Sequence, residues 1–214
     1  MSDVVITVRG EDEERVAPEL GTAHVVVRAE GAVRTEVVDA LTALAAPVRA
    51  SLDARETSGA VGEWSIGRMA LHTERPWTPT GEGTEPVHHA SLDVSASFAD
   101  AGDLSEWLAE ISPWDGVEIS RVEWRLTAAT RAAVERTVAA RAIRSAVARA
   151  TAYAAAIGRD EVVPLELADA GLLGRSDDVA AFAKAVSADG AGSTSLRPED
   201  LVIGAVVEAR FAAR

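Results

Sequence analysis

The sequence predicts an α+β protein in which an antiparallel sheet carries helices on one face. Three observations lead there. Apolar residues alternate over residues 23–29 and 88–98, the period-two pattern of strands with one buried side. Residues 33–58 and 127–157 change to helical spacing, with apolar positions three and four apart. The order of elements from Gly21 to Leu126 is strand, helix, strand, strand, helix, strand, which suits a split βαβ core. The long second helix and two final strands then extend or pair with that layer. The whole of 1–214 reads as one α+β domain, of one lobe or two.

Taken in order, Val4-Val5-Ile6-Thr7-Val8 is a first strand, and Arg9 to Pro18 a turn or a short second strand. Ala23, Val25, Val27 and Ala29 form the apolar side of the next strand. The stripe Val37, Val38, Leu41, Leu44, Ala45, Val48, Leu52 defines a helix that Ser58-Gly59 ends. Pro47 lies inside it, removes the hydrogen bond to Ala43 and predicts a kink. Residues 64–73 read as one strand, and the proline- and glycine-rich residues 75–83 as a connection. His88, Ala90, Leu92, Val94, Ala96 and Phe98 face one way on the following strand.

Asp100 is placed to cap a short helix whose Leu104, Trp107, Leu108 and Ile111 turn inward. Residues 117–126 form another strand, in which the apolar parity flips between Ile119 and Val122. That flip predicts a β-bulge near Ser120-Arg121. Thr127 caps the long helix, whose expected buried stripe is Val134, Val138, Ile143, Val147, Ala150, Ala154 and Ile157. Pro164 confines the strand at 161–168 to an edge or a bulge. Residues 171–196, rich in Gly, Ala, Ser and Asp, read as a mobile loop, and Leu201 to Phe211 as the last strand.

Composition excludes several functions. The 214 residues contain 21 Lys+Arg, 34 Asp+Glu and no cysteine, for a net charge of -13. Without cysteine there are no disulfides, thiol nucleophiles or thiolate metal sites. The acidic balance argues against a nucleic-acid partner, which needs a cationic stripe. No apolar run approaches the ~18 residues of a membrane span. Met1-Ser2-Asp3 leads directly into the first strand with no signal-peptide pattern, so the expected location is cytoplasmic.

No motif calls for a cofactor. Lys184 is the one lysine and has no glycine loop before it, and neither Gly81-Glu82-Gly83 nor Gly190-Ala191-Gly192 has a phosphate-loop context. The four histidines lack the spacing of metal ligands. A metal or small-molecule site would require His24, His72 and His88 or His89 to converge across strands, and solvated strand histidines are the expected outcome. Glu106 and Glu110 share the helix face opposite its apolar side, and Glu11-Asp12-Glu13-Glu14 reads as a solvated turn. Trp77, in a loop between two prolines, is a candidate contact residue. Arg141 and Arg144 on the long helix are further candidates for an interaction surface, against intramolecular pairs or a wetted face.

The chain resembles the SIMPL-domain family, which includes bacterial oxidative-stress defence proteins and a periplasmic immunogenic antigen. The likeness rests on Ile6-Thr7-Val8-Arg9-Gly10, on Val16-Ala17-Pro18-Glu19 leading into the strand and helix that follow, on the strands at 88–98 and 117–126, on Tyr153-Ala154-Ala155-Ala156-Ile157-Gly158, and on Val206-Val207-Glu208-Ala209-Arg210-Phe211. The resemblance implies a non-enzymatic protein that forms homo-oligomers or binds another protein, with a link to oxidative-stress tolerance. It supplies no catalytic residue. Glu19 stands where the family pattern has aspartate, and the secretion signal of many bacterial relatives is lacking.

Overall fold

The structure is a computed structural model that describes residues 3–75, 85–173 and 198–214. Its elements run β1 (Val4–Val16), β2 (Leu20–Gly31), α1 (Arg34–Ser58), β3 (Trp64–Ile66), β4 (Ala70–Glu74), β5 (Val87–Phe98), α2 (Ala101–Ile111), β6 (Val117–Arg125), α3 (Ala128–Ala156), β7 (Val162–Asp169) and β8 (Leu201–Ala213). The α+β expectation holds. The chain divides into two compact units, one built on residues 18–125 and the other on the flanking segments.

In the unit of residues 18–125, five strands form one antiparallel sheet in the order β3-β5-β2-β6, with β4 also paired to β5. The strand that follows α1 is separated from β2 by β5, which is the split βαβ arrangement. Both helices pack on β2 and β5. Ala23, Val25 and Val27 of β2 and Ala90, Val94, Ala96 and Phe98 of β5 are buried against Val37, Leu41, Val48 and Leu52 of α1. Leu104, Trp107, Leu108 and Ile111 of α2 complete the core, the four positions expected from the sequence.

Local signals are realised closely here. The Asp100 carboxylate accepts from the amides of Gly102 and Asp103, and Gly59 ends α1 at φ +79°, a conformation without steric cost only for glycine. The α1 helix runs through Pro47 to Ser58. The bulge lies where the apolar parity flips: Arg121 pairs with His24 and Ile119 with Val25, leaving Ser120 between them. One expectation is corrected. Residues 64–73 form two strands, because the three residues 67–69 stand opposite only two of β5 between the Ile66–Val94 and Ala70–Ser91 pairs.

The second unit is a three-stranded sheet in the order β1-β8-β7 with α3 on one face. These strands form their own sheet and do not extend the five-stranded layer. The segment from Arg9, read as a turn or separate strand, continues β1 to Val16, with all thirteen residues in register with β8. The reason lies in the side of the strand that carries each charge. Asp12 and Glu14 follow Ile6, Val8 and Gly10 on the α3-facing side, where Arg141 bonds both carboxylates at 2.6 Å. Glu11 and Glu13 face outward.

The buried line of α3 also differs from the expected stripe. Val138, Ala142, Ala146, Ala150 and Ala154 are buried, whereas Val147 and Ile157 are 40% and 53% exposed. Gly10 explains the choice. A β-carbon there would lie 2.1 Å from the Ala142 carbonyl oxygen and 2.6 Å from the Ala146 nitrogen. Helix and strand backbones approach so closely that only small side chains fit between them. Pro164 occupies the edge strand β7, with a register shift between Pro164 and Glu166, as its missing N–H requires.

Candidate functional site

The face of the five-stranded sheet away from its helices is polar. His24, Arg28 and Glu30 of β2 alternate with the buried valines, and His89, Ser91, Asp93 and Ser95 do the same on β5. The register decides which histidines meet. His72 lies opposite His89, and their rings stack with centroids 5.0 Å apart and 14° between planes. His89 is also 3.3 Å from Glu30 and 3.8 Å from Glu74.

His88 points to the other side of β5, where its Nδ1 and the Thr73 hydroxyl are 2.8 Å apart. His24 is six residues from Glu30 along β2, beside Glu123 at 3.5 Å. The convergence of His24, His72 and His88 therefore does not occur. Among the described residues, no group of three or more His, Cys, Asp or Glu side chains is arranged to hold a metal ion.

Two shallow depressions cross this face. One, of about 420 Å³, lies over the bulge beside His24, Asp93, Ser95 and Arg121. The other, of about 500 Å³, contains the stacked histidines with Arg28, Glu30 and Glu74. Both are open, and neither places a nucleophile in hydrogen-bond contact with a base. Glu110 is paired to Arg55 at 2.6 Å, which gives this helix carboxylate a structural role.

The surface of the second unit has a different character. Of the twelve exposed large apolar side chains among the described residues, nine belong to it. Leu165 and Leu167 on the edge strand β7 are 55% and 54% exposed, and Leu172 just after it 74%. Among the described residues, α3 lies over β1 and β8 and barely reaches β7, so no described helix covers this edge. The signal for it in the sequence is apolar residues on both sides of Glu166 in a strand that Pro164 already assigns to an edge. What the sequence lacks is the lateral position of α3.

The proposed contact residues separate in this light. Arg141 is engaged within the chain, and the Asp12 and Glu14 carboxylates beside its guanidinium raise its pKa above the ordinary arginine value. Arg144 is exposed on the outer side of α3. Trp77 lies outside the described residues, as does most of the segment read as a mobile loop. No helix of the described chain is long and apolar enough to cross a membrane.

A family model described as SIMPL, protein of unknown function (DUF541), matches residues 6–211 of the chain. No curated protein is matched.

Proposed function

The chain belongs to the SIMPL family, and from that premise we propose that it acts without catalysis, by assembling with copies of itself or binding another protein. Any contribution to oxidative-stress tolerance is then indirect. The observation that carries this reading is the concentration of exposed apolar side chains on the unit formed by β1, β7, β8 and α3. Exposed leucines on an edge strand lose free energy to water and regain it in a contact, which makes such edges association sites unless they are covered.

The chemistry of the chain agrees with an indirect role. It has no cysteine to enter a peroxidatic cycle, and Met69, 41% exposed, is its one methionine besides the initiator. Sedimentation velocity over a hundredfold concentration range tests the reading. It predicts species heavier than the 22.3 kDa chain that grow with concentration, or a stable complex isolated with one partner protein. A lone monomer without a partner contradicts it. Replacing Met69 by leucine should leave peroxide tolerance intact in cells that depend on the protein, whereas loss of protection would point to direct scavenging.

A further inference from the structure

The β7 edge, which no described helix covers, has a defined orientation beside α3. Arg141 and Arg149 mark the side of α3 that faces β1, since they bond Asp12, Glu14 and the Arg9 carbonyl. Ile143 and Val147 lie two residues from those arginines, about 200° around the helix, and so face β7. On β7, Leu167 pairs opposite Ala209 and Pro164 opposite Phe211, residues buried on the α3 side of the sheet, so both look the same way. Val147 and Leu167 thus form the wall and floor of an apolar shelf, 40% and 54% exposed.

Charge identifies what the shelf takes. Residues 18–125 contain 18 acidic and 8 basic residues, and the rest of the chain 16 and 13. Most of the acidic excess, 10 of the net 13 negative charges, thus lies in residues 18–125, where two copies repel each other, while the segments that carry the shelf have a small net charge. At its rim, Arg144 on α3 and Asp169 at the end of β7 are exposed, and neither forms an ion pair among the described residues. A two-fold contact uses the same patch twice and must be self-complementary. Among the described residues, an apolar centre bordered by the Arg144 cation and the Asp169 anion meets that requirement, whereas a strongly charged partner would find no matching field.

We propose that this shelf docks a second copy of the chain about a two-fold axis. Val147 and Leu167 pack against their counterparts, and Arg144 faces Asp169 of the partner subunit. The inference rests on the self-assembly reading and specifies its contact surface. Light scattering on the full chain tests it with Leu167→Glu and Val147→Glu, both at exposed positions, each expected to weaken dimerisation at least tenfold. Arg144→Asp and Asp169→Arg should each weaken it severalfold, and the two together should restore it.

Far-ultraviolet circular dichroism spectra that match the wild type, with cooperative melts, establish that the variants are folded. If a leucine or valine variant fails to fold, the charge exchange decides alone. Folded variants that keep the wild-type mass, with no recovery in the double exchange, would overturn the shelf while leaving self-assembly standing. A wild-type chain that stays monomeric would overturn both.

Discussion

Ser51 shows how one small residue holds two helices in place. It lies on the buried side of α1, and its hydroxyl accepts from the Trp107 indole N–H of α2 at 2.9 Å, deep in the core. Trp107 is fully buried and tilts against Phe98 at 5.4 Å between ring centroids, so its N–H has no access to water. Replacing Ser51 by alanine should cost about 1–3 kcal/mol, the desolvation penalty of an unpaired donor. Urea denaturation would read this as a lower midpoint with an unchanged slope. The inward orientation of Trp107 was legible from its spacing with Leu104, Leu108 and Ile111, because periodicity reports a helix's own faces. Its partner was not, since the approach of α1 to α2 has no local signal.

At the scale of elements, α3 separates what local chemistry specifies from what packing decides. Its start was legible: the Thr127 hydroxyl accepts from the Thr130 amide at 3.2 Å, a bond that depends only on neighbours in sequence. Its buried line was not. Weighting large apolar residues selects Val147 and Ile157, but Gly10 draws the strand so close that alanines occupy the contact. Ala146→Leu should therefore destabilise by roughly 2–3 kcal/mol through overpacking, whereas Val147→Leu should stay within about 0.5 kcal/mol of the wild type. Thermal melts of the two variants check this. Equal losses would mean that the alanine line is not the packing seam.

The fate of β1 has the same origin. Four acidic residues in succession resemble a solvated turn until Arg141, distant in sequence, supplies a counter-charge to alternate members. The bulge at Ser120 and the edge placement of Pro164 were legible because each is written in a strand's own alternation or its missing N–H. The candidate site was legible only in fragments. Arg144 and the edge character of β7 could be read from the chain, but the shelf between them exists only once α3 is set off-centre on its sheet.

At the scale of the whole molecule, Glu208 in the three-stranded unit makes stability depend on pH. Glu208 of β8 has its pKa lowered chiefly by the Arg9 guanidinium, 3.1 Å away, with backbone amides of Gly171 and Leu173 adding to the effect. A carboxyl held lower in the folded than in the unfolded state contributes stability that is present above the ordinary glutamate range. That contribution is lost as pH falls through the folded-state value. Glu208→Gln should therefore flatten the acid limb of melting temperature against pH, by an amount that added salt reduces. A limb as steep as the wild type's would remove Glu208 from the account.

Self-assembly is the arm of the functional reading on which the proposed shelf depends. The molar mass of the wild-type chain by multi-angle light scattering, measured from low micromolar to near-millimolar concentration, tests it most directly. The account predicts a mass of at least two 22.3 kDa chains, rising towards a plateau as concentration increases. A constant mass of one chain across that range would contradict it.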